Sequence, residues 1–223
     1  LARETPLVLT GIGAITAQSS VDTNGINRMY IRDRLLEGQP LSQILTELET
    51  FDPGHNNRQY GMIKTNGDVL TYSGIDNANW AGGTTGRIEQ GRPGPADDIV
   101  NTVQGNILSG PNVVQDAVDA IINTDTDLPG KLMASMLAAR VAGGDGRCSC
   151  SSANPTGCGS PPPTPFKSAH VGYMIGSRAD DTDSIRAFYQ LPSNSTALTQ
   201  LNNNTFAIAD TTGNIHLYTN ATN

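Results

Sequence analysis

Gln104-Gly105-Asn106 is the tripeptide in this 223-residue chain whose residue types are best suited to chemistry. Arg58-Gln59-Tyr60-Gly61 lies upstream of it, and Ala142-Gly143-Gly144-Asp145-Gly146-Arg147-Cys148 downstream. Polar, glycine-bearing clusters separated by apolar segments point to chain turns gathered around one place. Gln18, Arg58, Gln59, Gln104, Asn106 and Asp145 are therefore expected around a shared cleft. The Gln and Asn amides can donate to a developing oxyanion. The Arg58 fork can clamp a carboxylate through two parallel bonds. The same residues can instead satisfy buried backbone groups and fix loops. That second role is the favoured one, because no nucleophile stands beside them to be assisted. Gly105 and the Gly143-Gly144 pair lack the spacing of a phosphate loop and fit turn geometry. His55, His170 and His216 have no partner at metal-ligand spacing, and nothing marks Ser168 and His170 as part of a triad. Trp80 has the amphipathic ring to stack on a sugar, seal a lid or anchor a core.

Cys148, Cys150 and Cys158 fall within eleven residues. This spacing lacks a fourth ligand, so no metal site is expected, and no cofactor motif is present. A disulfide-closed loop is expected instead, Cys148–Cys158 or Cys150–Cys158, because a Cys148–Cys150 bridge would be strained. One cysteine is left over in either case. Asn194-Ser195-Thr196, Asn203-Asn204-Thr205 and Asn220-Ala221-Thr222 match the glycosylation pattern, or arise by chance in an Asn/Thr-rich tail. The disulfide and these sites together favour a secreted protein, extracellular or periplasmic.

The net charge of −7 and the mere three lysines exclude a nucleic-acid groove, which needs clustered cations. No apolar run reaches the roughly 20 residues of a membrane helix. The chain opens on Leu1 rather than Met, as expected for a processed or incomplete chain. Only 37% of the residues are apolar and 5% aromatic, which predicts many turns and a polar surface.

The elements that must position these residues follow from periodicity. Residues 7–18 read as a strand covered on both faces. Asp22 or Thr23 caps a helix that stops at Gly38, and Pro40 opens another carrying Leu41, Ile44, Leu45 and Leu48 on one face. Strands at 59–64 and 69–72 flank Asn66-Gly67, a strong hairpin signal. Residues 74–98 read as a long loop, 99–108 as a strand, and two helices follow from Pro111 and from Leu128 or Pro129 to Val141. Residues 168–177 and 184–189 read as strands, and 205–209 with 215–218 as a terminal hairpin. Helix pairs alternating with strand hairpins predict an α+β fold. The composition shift divides the chain into a domain over 1–190 and an Asn/Thr-rich extension over 191–223.

Gly13-Ala14-Ile15-Thr16-Ala17-Gln18, Arg58-Gln59-Tyr60-Gly61, Thr71-Tyr72-Ser73-Gly74, Gln104-Gly105-Asn106-Ile107-Leu108 and Ala142 to Cys148 occur in one order. In that order they resemble the bacterial family called domain of unknown function 1028, grouped with the N-terminal-nucleophile hydrolases, over about residues 7–190. The resemblance implies a four-layer αββα sandwich and hydrolysis of an amide bond. It implies a mature chain beginning with Thr, Ser or Cys, whose free amine is the base. Leu1-Ala2-Arg3 offers no such nucleophile, and the first strand pair of the family pattern is missing, so the fold is expected to lack its first strands. Two functions are expected as alternatives. One is a secreted amide-bond hydrolase, active on a small molecule or peptide only if a nucleophile precedes Leu1. The other is a glycosylated, non-enzymatic extracellular subunit that self-associates, into filaments for example, by strand pairing at an open sheet edge.

Overall fold

A computed structural model describes residues 6–20, 22, 24–90, 98–170, 205–209 and 215–219. Sheet A is a four-stranded antiparallel meander of β1 (Pro6–Leu9), β2 (Gly13–Gln18), β3 (Gln59–Lys64) and β4 (Val69–Ser73). Sheet B pairs β5 (Gly82–Ile88) with β6 (Ile99–Gly105) antiparallel. The helices are α1 (Ile26–Leu36), α2 (Leu41–Phe51), α3 (Asn112–Asn123), α4 (Leu128–Val141) and the single-turn α5 (Gly146–Ser149). A separate hairpin joins β7 (Thr205–Ala209) to β8 (Ile215–Thr219). The fold is a mixed α/β one, in keeping with the α+β expectation. Helix α1 packs on β1 and β2, and α2 on β4. Strands β3 and β4 face β5 and β6, while α3 covers sheet B and α4 packs on α3.

Side-chain alternation along sheet A builds two unlike layers. Leu7, Leu9, Ile15, Tyr60 and Met62 point to the helices and form one core with Ile31, Leu35, Leu41, Ile44 and Leu48. The helical residues recur at three- and four-residue spacing, the stripe a packed helix requires. The opposite face carries Thr16, Gln18, Gln59, Gly61, Thr71 and Ser73, paired across the strands as Gln18↔Gln59↔Ser73 and Thr16↔Gly61↔Thr71. Hydrocarbon therefore holds the helices to sheet A, and polar side chains fill the layer between the sheets.

The expected single strand over residues 7–18 is a hairpin. Gly11 takes a φ of 70° and Ile12 N bonds Leu9 O, so the chain reverses where the two glycines interrupt the apolar run. The expected loop over 74–98 contains β5, and 91–97 lie outside the described residues. Gly82, Gly83 and Gly86 carry no side chains to signal a strand. Pairing with β6 and the cover of α3 impose it, and a Cβ on Gly86 would stand 2.8 Å from Val118 Cγ1. The strand expected over 99–108 ends at Gly105, where the chain turns into the cluster. Residues 168–170 are not strand; the rest of that segment, the strand expected at 184–189, and Asn194, Asn203 and Asn220 lie outside the described residues.

Helix ends follow local chemistry. The Asp22 carboxylate accepts from Asn24 N at 3.1 Å and Asn27 N at 2.7 Å, so it serves the first turn of α1 from outside the helix. Asp127 caps α4 by accepting from Gly130 N at 2.9 Å, with Pro129 in the first turn. Replacing Asp127 with Ala removes that acceptor and lowers unfolding stability by about 1 kcal/mol in a urea titration.

Candidate functional site

Four of the six residues expected around a cleft meet between the sheets. The Gln59 side chain is fully buried. Its amide nitrogen donates to Ser73 Oγ at 2.7 Å and to Gly105 O at 2.8 Å. Its Oε1 accepts from Gln18 Nε2 at 3.2 Å and Asn106 Nδ2 at 2.9 Å. Gln18 Nε2 also donates to Gln104 O at 3.1 Å. Gln104 Nε2 donates to Thr16 Oγ1, while its Oε1 accepts from Thr102 Oγ1 at 2.8 Å. The lattice thus stitches β2 and β3 of sheet A to β6 of sheet B.

Close approach is what the glycines supply. A Cβ on Gly61 would lie 2.5 Å from Gln104 Nε2, and one on Gly83 would lie 2.8 Å from Gln104 Cβ. The Gln104 side chain fills space that a larger residue on either strand would occupy. Thr16 and Thr102 were not among the expected site residues. They stand two positions before Gln18 and Gln104, and the two-residue period of a strand places each on the same face as its partner.

The hydrogen-bond inventory limits the chemistry. Gln18 and Gln59 have both amide hydrogens engaged inside the lattice. Neither is left to donate to an oxyanion. Gln104 and Asn106 are half-buried and each engages one amide hydrogen, so each has a donor to offer, that of Gln104 lying close against Gly61.

Arg58 points the other way, to the helix side of sheet A. Its Nε reaches Asp52 Oδ2 at 2.9 Å and its Nη2 reaches Oδ1 at 3.3 Å. The fork expected to clamp a ligand carboxylate clamps Asp52 instead. Asp52 also accepts from Gly54 N at 2.9 Å and from Asn27 Nδ2. Burial alone would raise the Asp52 carboxyl. The bonds from Arg58, Gly54 and Asn27, with the Arg58 charge, outweigh burial and lower it to about 2. Burial, reinforced by the Asp52 charge, pushes the neighbouring Tyr60 hydroxyl well up. His55 is buried against Tyr72, ring centroids 4.3 Å apart, and burial lowers its pKa. A recess between Gln18, Arg28 and Arg58 measures about 10 Å3, room for one water and closed to a substrate.

Asp145 is close through backbone only. Gly146 N bonds Ile107 O at 2.8 Å, and Leu108 bridges Asp145. The carboxylate caps α5 through Arg147 N at 2.9 Å and pairs with the Arg147 side chain. Gly143 and Gly144, at φ 115° and 58°, form the turn leading into it, as turn geometry predicted. Cys150 and Cys158 form the disulfide, their Cα atoms 5.5 Å apart. Cys148 is the unpaired thiol, and burial raises its pKa.

Backbone strain marks the rim of the lattice. Among the described residues the non-glycine positions with positive φ are Ser19 (59°), Ser20 (45°) and Ile107 (55°). The first two follow Gln18 and the third follows Asn106. A β-branched residue in the left-handed region is costly and persists only where its surroundings hold it. Here Ile107 N bonds Ala78 O at 3.1 Å, and Ile107 O accepts from Gly146 N. Ser20 is exposed, so Ser20→Gly relieves the strain without loss of packing. A gain of about 0.5–1 kcal/mol in thermal or urea unfolding is expected.

Among the described residues, no helix is long and apolar enough to cross a membrane. No group of three or more His, Cys, Asp and Glu residues there is arranged to hold a metal ion.

The model of the family of unknown function DUF1028 matches residues 2–154. No curated protein matches the chain. Among solved structures, the crystal structure of protein SPO2555 from Silicibacter pomeroyi, which carries the same family model, superposes with a TM-score of 0.52 at 19% identity. The superposition covers 64% of this chain and 59% of that one, so the chain spans well under two thirds of its structural neighbour. At that identity the likeness concerns the fold.

Proposed function

The chain belongs to the family of unknown function DUF1028, and from that premise we propose that it is a secreted protein with the four-layer αββα sandwich of N-terminal-nucleophile hydrolases. Its proposed reaction is hydrolysis of an amide bond at the rim of the amide lattice. The supporting observation is that the strained positions Ser19, Ser20 and Ile107 all border Gln18 and Asn106. Strain of this kind collects at sites that must hold an unfavourable geometry. In this reading Gln59 and Gln104 are scaffold, and Asn106 offers its remaining N–H to the developing oxyanion. The nucleophile would be a Thr, Ser or Cys N-terminal to Leu1, with its own amine as base. The Cys150–Cys158 bridge supports a secreted location.

The test is the N-terminal sequence of the protein isolated from its source, with reaction against a β-lactone electrophile followed by intact-mass analysis. A Thr, Ser or Cys terminus bearing one adduct is expected. A native chain that starts at Leu1 and takes up no electrophile would sink the reading.

The second reading is a non-enzymatic extracellular subunit that self-associates by strand pairing. The β7–β8 hairpin favours it, because the two strands pair with each other in a sheet of their own. Such a ribbon is available to add to an edge strand of another copy. Sedimentation of the full chain and of a chain lacking 205–219 separates the cases. Assembly that depends on those residues is expected, and a monomer at all concentrations rejects it.

A further inference from the structure

Trp80 heads an open groove on the side of sheet B where β5 begins. The groove measures about 440 Å3, within the range of small-molecule sites. Asn79, Trp80, Pro111, Asn112, Thr156 and Ser160 line it, and none of its lining residues is charged. The half-buried Trp80 ring is set in place by Gly82, where a Cβ would come within 2.6 Å of the ring carbon Cη2. Trp80 O accepts from Leu108 N at 3.1 Å, which anchors the residue to the chain just past Asn106. The aromatic platform is therefore pre-positioned, and a pre-positioned platform does not lose conformational freedom on binding.

The polar groups beside it have capacity left over. Asn112 Nδ2 donates to Ser160 O at 2.7 Å, which leaves its Oδ1 and a second N–H. Ser160 Oγ donates to Ala142 O at 2.6 Å, which leaves its lone pairs as acceptors. Asn79 is exposed and its side chain makes no hydrogen bond among the described residues, so both its donor and acceptor ends are available. An aromatic face beside neutral groups that both donate and accept suits a ligand with an apolar C–H face and a rim of hydroxyls. A purely apolar ligand would leave those amides and hydroxyls desolvated, and an anion would find no cation in the wall.

We propose that this groove binds a neutral saccharide, with one pyranose ring stacked on Trp80 and its hydroxyls bonded to Asn79, Asn112 and Ser160. Nothing in this site requires a nucleophile, so it stands apart from the hydrolytic reading.

Trp80 is the one tryptophan of the chain, so its fluorescence reports the groove alone. The full chain is titrated with uncharged oligomers of β-linked glucose, β-linked N-acetylglucosamine and α-linked mannose. An oligogalacturonate and cyclohexanol serve as the charged and the apolar comparison. A saturable fluorescence change with at least one neutral series, and with neither comparison ligand, is the expected result. Asn79→Ala leaves the fold intact and weakens that binding several-fold, read by the same fluorescence. Trp80→Ala, with its fold checked by circular dichroism, weakens it about tenfold or more by calorimetry. The proposal is overturned by the absence of a saturable response to all three series up to about 10 mM. It is equally overturned by a response to cyclohexanol or oligogalacturonate that matches the neutral oligomers, or by binding unchanged in both variants.

Discussion

Gln59→Leu is expected to lower unfolding stability by about 4 kcal/mol, the largest single-residue effect outside the apolar core. The substitution keeps most of the volume and removes every polar contact at once. Gly105 O and Ser73 Oγ lose a donor, and Gln18 and Asn106 lose an acceptor, in a position with no exposure to solvent. Each buried group left without a partner costs about 1–3 kcal/mol, and Gln18 is partly excused because it retains Gln104 O. Urea titration of wild type and variant measures the difference. Gln59→Glu is as damaging at neutral pH, since it buries a charge and sets an oxygen against Gly105 O. Acidification relieves it, because the neutral carboxyl can donate where the carboxylate cannot. A loss below about 1 kcal/mol for Gln59→Leu would mean that the lattice does not hold the sheets together.

Asp52→Ala is expected to cost about 3 kcal/mol at neutral pH and to flatten the acid limb of stability. The Arg58 side chain is 17% exposed and loses its one ion-pair partner among the described residues, while Gly54 N and Asn27 Nδ2 lose their acceptor. The sign of the pH effect follows from the lowered carboxyl. Asp52 lies at about 2 in the folded chain against an ordinary 3.8. Its contribution is therefore complete above about pH 4 and is lost as pH falls through 2. The gap amounts to roughly 2 kcal/mol. Urea midpoints between about pH 2 and 7 should fall on acidification in the wild type more steeply than in the variant. Parallel curves would show that other carboxylates carry the acid sensitivity.

The contrast between Arg58 and Gln59 shows what a sequence reading reaches. Both stand in one motif, and both were expected at the same place. Arg58 is the extended residue immediately before β3 and Gln59 is the first residue of that strand, so their side chains leave on opposite faces. Gln59 enters the layer between the sheets and Arg58 turns toward Asp52 beside α2. Strand period alone separates them, but which face meets the second sheet depends on how β3 is sandwiched. Asp52 was not among the expected site residues, because a lone Asp before Pro-Gly gives no sign of being buried against an arginine six residues on.

The disulfide shows the same limit. Spacing left Cys148 and Cys150 as equal candidates for Cys158. The short helix α5, capped by Asp145, ends at Cys150, whose Cα stands 5.5 Å from that of Cys158, and Cys148 inside it is the free thiol. Strand β5 was invisible for a different reason. Its glycines have no periodic side chains, and its conformation is imposed from outside by β6 and α3.

Sequence by itself determined the family, the amphipathic helices, the β3–β4 hairpin and the identity of the amide cluster, because periodicity, turn residues and motif order are local properties of the chain. Tertiary structure alone decided that Gln18, Gln59, Gln104 and Asn106 bond to one another, that Arg58 and Asp145 do not join them, and that strain gathers at Ser19, Ser20 and Ile107. The reason is physical. A side-chain amide carries two donors and an acceptor, and nothing in its neighbours along the chain says which groups from a distant strand will meet them when two sheets close.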